Sequence, residues 1–69
     1  MENCKHQKAV IPFEYERVFA AMPREDVGEV VSAIFYYMRT GEVPDGLSPL
    51  SEAILRHIAY VTETYEMME

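Results

Sequence analysis

Cys4, His6 and His57 are the most chemically versatile side chains of this 69-residue chain, and their spacing limits what they can do. The stretch "CKH" sets a thiol and an imidazole two positions apart. A structural zinc site takes four nitrogen or sulfur ligands as a rule. Cys4 is the only cysteine and His57 the only other histidine, so the set falls short. A Cys–His nucleophile would need a fixed base, a third orienting group and a concave pocket around them. Glu25, Asp26 and Glu29 resemble an acid–base cluster, but such chemistry wants carboxylates held in different environments around one substrate. At the start of a helix they instead complement its dipole on a solvated face. Asp45-Gly46 is turn chemistry and not a phosphate loop. The residues therefore predict no catalytic group, no metal ligand and no cofactor, with a small metal-dependent regulator built on Cys4, His6 and His57 as the alternative.

Proline and glycine set out the elements that would position any site. Pro12 precedes "FEYERVFAAM", Pro23 precedes "REDVGEVVSAIFYYMRT", Gly41 follows it, and "GEVPDGLSP" leads into a final uninterrupted run. Proline is accepted in a first helical turn and glycine commonly closes a helix. In the second run Val27, Val30, Val31, Ile34, Phe35 and Met38 recur at helical spacing and predict the inward face. In the third, Leu50, Ile54, Ile58, Val61, Tyr65 and Met68 do the same, with Ser48 as N-cap and Pro49 at the first helical position. Tyr15, Val18, Phe19 and Met22 share a face of the first, with Ile11 just ahead. His57 falls at the margin of its stripe, where a half-buried ring is expected. The fold class predicted is all-α, a compact three-helix bundle. Residues 1–11 read as a flexible N-terminal arm, with "KAVIPF" as an alternative extended segment, and 12–69 as a single helical domain.

A chain this short buries only about 60% of its unfolded surface, so its core is marginal and gains from a partner. The lone cysteine rules out an internal disulfide and points to a reducing compartment, and "MENCKHQKAV" lacks the apolar stretch of a signal peptide. No run reaches membrane-spanning length, and a cytoplasmic location is expected. Acids outnumber bases twelve to six, and the excess is local: residues 1–41 hold six acids and five bases, residues 42–69 six acids and Arg56 alone. Phosphate-backbone binding depends on Lys and Arg, so direct nucleic-acid binding is disfavoured and a basic protein partner fits better.

Met22-Pro23, Ala33-Ile34-Phe35 with Tyr37, Gly41-Glu42-Val43-Pro44, Leu47, Ile58 and Glu63-Thr64-Tyr65-Glu66 carry a resemblance over about three quarters of the chain. From about Tyr15 onward it resembles the small helical N-terminal domain of replication-related phage and prophage proteins from Gram-positive bacteria. The Gly-Glu-x-Pro turn after the aromatic helix is the most specific part. The resemblance implies phage origin and a host bacterial cell. Members of that type commonly continue into a Lys/Gly-rich linker and a region able to contact DNA. Here "YEMME" ends the sequence, so a free-standing module is expected that binds protein and not nucleic acid.

Apolar residues off the stripes give the candidate surface. Tyr36 projects opposite the second helix's apolar face, and Tyr60 and Met67 lie away from the third's, among Arg56, Glu63 and Glu66. Tyrosine and methionine are enriched at interfaces. The partner-binding set predicted is Tyr36, Arg56, Tyr60, Glu63, Glu66 and Met67. The function expected is non-enzymatic: a phage-derived acidic protein acting on a protein partner, as a replication accessory or as an anti-CRISPR-type inhibitor of a host nucleic-acid-binding enzyme. A homodimer, paired through Tyr60 and Met67 as a structural module, is the alternative. Neutralising Glu63 and Glu66 is expected to leave stability unchanged, as is replacing Cys4 and His6.

Overall fold

Each helix starts and stops where its terminal residues can satisfy backbone groups. In the computed structural model, which describes residues 5–68, α1 spans Tyr15–Ala21, α2 Arg24–Thr40 and α3 Pro49–Met67. A turn in which Pro12 accepts from the Tyr15 N–H at 3.0 Å leads into α1. Pro23 precedes α2, and its carbonyl accepts from the amides of Asp26 and Val27 at 3.0 and 3.1 Å. Gly41 closes α2 in the left-handed region at φ 82°, donating to the Tyr37 carbonyl. A Cβ on Gly41 would also come within 3.3 Å of the Lys5 side chain, so glycine serves both the backbone and the packing there. Ser48 caps α3 through its side chain, with Pro49 in the first turn. The architecture is an all-α three-helix bundle.

α2 and α3 supply the core, and they run in the same direction. Glu29 meets Ser51, while eight residues later Tyr37 meets Ala59 and Glu63. The connection between them, residues 41–48, therefore cannot be a tight turn. It returns along α2 as a strap, with Val43 beside Tyr37, and Pro44 and Leu47 beside Ala33 and Glu29. The arm crosses the other way: Lys5 and His6 donate to the carbonyls of Arg39 and Met38, Val10 donates to Thr62, and Tyr15 reaches His57.

The segment expected to be flexible is held where the Lys5 and His6 amides donate to carbonyls of α2 and the Val10 amide donates to the Thr62 hydroxyl of α3. Cys4 lies outside the described residues. α1 buries no residue fully but packs Tyr15, Val18, Phe19 and Met22 against the core, as their spacing predicts.

The inward faces differ from the predicted stripes. The core is Val30, Ala33, Ile34, Tyr37, Ile54, Leu55 and Ile58. Val31 is 42% exposed and Phe35 63%; Ala33 and Tyr37 take the inward positions instead. Small Ala33 lets Leu47 and Pro44 of the strap approach α2, and Tyr37 has a polar partner for its hydroxyl. On α3, Leu50, Tyr65 and Met68 are exposed, and Ser51, Leu55 and Thr62 are buried with Ile54 and Ile58. The two polar residues are hydrogen-bonded, Ser51 to Glu29 and Thr62 to the Val10 N–H, so their burial carries no unmet donor or acceptor.

Ile58→Ala opens the centre of this core and should cost about 2–5 kcal/mol. Phe35→Ala, on the open face of α2, should change the unfolding free energy by less than about 0.5 kcal/mol in dilute solution. Urea unfolding distinguishes them: a Phe35→Ala cost as large as that of Ile58→Ala would restore the Val31–Phe35 face as the inward one.

Candidate functional site

Between the strap and α3 lies an open groove of about 420 Å³ lined by Tyr37, Gly41, Glu42, Val43, Arg56, Ala59, Tyr60 and Glu63. Its position follows from the parallel helices. The strap has to leave α2 at Gly41 and return beside it, so Glu42 and Val43 stand off from Ala59 and Tyr60 and leave a channel. Tyr37 forms the floor, and Tyr60, 69% exposed, stands at the wall. Arg56 donates from Nε and Nη2 to one oxygen of Glu52, four residues earlier on α3, at 3.0 and 2.7 Å. Arg56 is exposed and Glu52 half-exposed, so this pair contributes only about 0.3–0.5 kcal/mol. It does turn the only basic residue of the second half toward a carboxylate of its own helix.

The floor is chemically unusual. The Tyr37 hydroxyl donates to Glu63 Oε2 at 2.8 Å, and its ring stacks on His6 at 4.6 Å with 16° between the planes. His6 in turn pairs through Nδ1 with Glu66 Oε2 at 2.8 Å. A carboxylate only accepts, so Nδ1 carries the proton. Burial pushes the Tyr37 phenol well above its ordinary value near 10, helped by the hydrogen bond to Glu63 and the negative charge of Glu63 and Glu66. Tyr15 is raised as well, by burial and then by Glu14. Its hydroxyl lies 2.6 Å from His57 Nδ1, and the two rings meet edge to face at 5.6 Å.

The structure brings together three of the six predicted partner-binding residues, Arg56, Tyr60 and Glu63, in the groove. Met67 is 87% exposed and is not among the groove-lining residues. Tyr36 lies apart, in a second hollow of about 280 Å³ with Glu29, Ser32, Ala33, Pro44 and Leu47, and Arg39 sits 5.5 Å over its ring. Glu66 is engaged by His6 and Glu63 by Tyr37, so the expectation that both could be neutralised without affecting stability is corrected.

His6 is corrected likewise. Its side chain is only 12% exposed, and it joins the arm to α2 and α3. His57, expected half-buried, is exposed. Glu29, read as a solvated acid, accepts from Ser51 Oγ at 2.7 Å and Ser48 Oγ at 3.3 Å and joins α2 to the start of α3. Each of these contacts spans nineteen or more positions in sequence, beyond what local spacing reports. No group of three or more potential metal ligands comes together among the described residues. None of their helices is long and apolar enough to cross a membrane.

No family model matches the chain, and no curated protein or solved structure matches it. The groove's own walls define what it can hold. It offers aromatic surface from Tyr60 and Tyr37, a carboxylate from each side in Glu42 and Glu63, and an arginine turned onto Glu52. Such walls suit the stem and cationic head of a long basic side chain.

The raised phenols fix a pH dependence. As pH rises through about 10, tyrosines in the unfolded chain release their protons, while Tyr37 and Tyr15 retain theirs in the fold. The associated stability is complete below pH 10 and declines as pH rises above it. Tyr37→Phe should flatten this alkaline decline in the unfolding free energy. An unchanged slope in Tyr37→Phe would show that the phenol is not held as described.

Proposed function

We propose that this chain is a non-enzymatic docking protein whose strap–α3 groove receives a basic side chain from a protein partner. The observation that carries the reading is the groove itself: Tyr60 stands exposed beside Glu42 and Glu63, with Arg56 drawn onto Glu52. The field around it supports the same partner, since residues 42–69 hold six acids against one base. Long-range attraction of that kind speeds encounter with a basic surface and weakens with salt. Tyr60 would act as the anchor that slows dissociation, and the carboxylates would orient the guanidinium or ammonium head.

The biological setting follows from the resemblance alone. A phage-encoded acidic module that occupies a basic groove would act as a replication accessory or would compete with DNA or RNA for a host nucleic-acid enzyme. Of these, competition draws more from the charge: an acidic face opposed to a phosphate-binding groove replaces the phosphates it would hold. Tyr36, on the far side of the strap, is outside this docking surface, and Met67 extends it toward the end of α3.

A short arginine-rich peptide serves as the probe. In ¹⁵N-resolved titrations it should shift the amides of Gly41, Glu42, Ala59 and Tyr60 most, with shifts that shrink at high salt. Glu42→Lys should abolish them, and Tyr60→Ala should weaken binding about tenfold, which corresponds to about 1.4 kcal/mol. Shifts spread evenly over all acidic residues, unaffected by either variant, would reduce the interaction to unspecific charge attraction and contradict the proposal.

A further inference from the structure

The outward face of α2 carries a feature that nothing among the described residues explains. Gly28 is the fifth residue of the 17-residue α2, inside the helix, where glycine is a poor choice. Its backbone does not require glycine, because the positive-φ glycines are Gly41 and Gly46. Packing does not require it either: a Cβ built on Gly28 meets nothing within 4 Å. On the same face Val31 is 42% exposed and Phe35 63% exposed. At 3.6 residues per turn, Gly28, Val31, Phe35 and Arg39 fall within an arc of about 80°, and Glu25 borders the arc on the Arg39 side. A large apolar knob, a gap left by a missing side chain and two opposite charges therefore share one helix face.

Their placement is symmetric, which selects the occupant. The midpoint between Gly28 and Phe35 falls between Val31 and Ser32, and Glu25 and Arg39 lie almost equally far on either side of it. A two-fold axis needs a patch that complements itself, with each knob facing the other copy's gap and each charge facing its opposite. An antiparallel pair keeps the same flank on the same side, so Glu25 of one copy meets Arg39 of the other and Phe35 lies over Gly28. An unrelated partner would demand no such symmetry.

We propose that α2 pairs antiparallel with α2 of a second copy across this axis, seating Phe35 over Gly28 of the second copy and pairing Glu25 with its Arg39. This relocates the dimer expected through Tyr60 and Met67 and leaves the strap–α3 groove open. A stable dimer buries about 800 Å² on each partner. That is about 15% of the 5183 Å² the chain exposes in all, a large share to ask of one helix face. The dimer is accordingly weak and forms only as the concentration rises.

Sedimentation velocity over a concentration series from about 5 to 500 μM tests it. The native chain should pass from monomer to dimer across the series. Gly28→Lys fills the gap with a better helix former: it should melt at the same or a higher temperature when dilute, yet remain monomeric throughout. Glu25→Arg and Arg39→Glu should each weaken association about tenfold or more, and the two together should restore it. Tyr60→Ala should dimerise like the native chain. A native chain that stays monomeric throughout would overturn the proposal. So would a Gly28→Lys variant that still dimerises, a charge swap without recovery, or association lost in Tyr60→Ala. Gly28→Lys should still show the native shifts with the arginine-rich peptide, so failure of the dimer and failure of the groove are read separately.

Discussion

The Tyr37 side chain is the joint on which the other elements converge. It belongs to α2, its hydroxyl reaches Glu63 of α3, its ring is covered by His6 of the arm, and its upper edge is the floor beside Val43 of the strap. A phenol suits that place because it can bury a large ring and still hand one polar atom to a partner at the core's edge. The hydrogen bond to Glu63 fixes the rotation of α3 relative to α2, and the stacked imidazole fixes where the arm crosses. His6 is then tied to Glu66 one turn further along α3, so arm, α2 and α3 close into a ring of contacts at one end of the bundle. At the other end Glu29, Ser48 and Ser51 do the equivalent work, joining α2 to the first turn of α3.

A core of seven buried apolar residues is small, and the non-helical segments make up part of the difference. Ala9 from the arm and Val43 and Leu47 from the strap pack against it alongside residues of α1. Parallel α2 and α3 demand a connection long enough to travel back, and that same length lets the strap cover one flank of α2. With the strap on one side and the arm between the helices, the groove along α3 and the outward face of α2 remain open. The first is acidic and aromatic, the second apolar with paired charges at its ends. The two call for different partners.

The helices were legible because their boundaries are written in short-range chemistry: Pro23 before α2, Gly41 after it, and Ser48-Pro49 at the start of α3 all perform the roles their types suggest. The rotation of α2 and α3 was not. Periodicity favoured Val31 and Phe35 over Ala33 and Tyr37, and Leu50 and Tyr65 over Ser51 and Thr62, because it weighs apolar character and ignores distant partners. Ser51 and Thr62 are inside since Glu29 and the Val10 amide satisfy them, and neither partner is visible from spacing on α3. The same blindness left His6 in an expected loose end. Of the predicted surface, Arg56, Tyr60 and Glu63 do converge, because residues at i, i+4 and i+7 share a helix face; Tyr36, on another helix, does not join them.

The closed end of the bundle rests on the arm being docked, since His6 covers Tyr37 and Val10 satisfies Thr62. Native-state hydrogen exchange of individual amides measures this most directly. The His6 N–H donates to Met38 at 2.9 Å and the Val10 N–H to Thr62 at 2.8 Å, so both should exchange far more slowly than in an unstructured peptide. Their protection should fall sharply in Tyr37→Ala while the centre of α3 remains slow. Exchange of His6 and Val10 at free-peptide rates in the native chain would contradict the account, because Tyr37 would then lack its cover and Thr62 its partner.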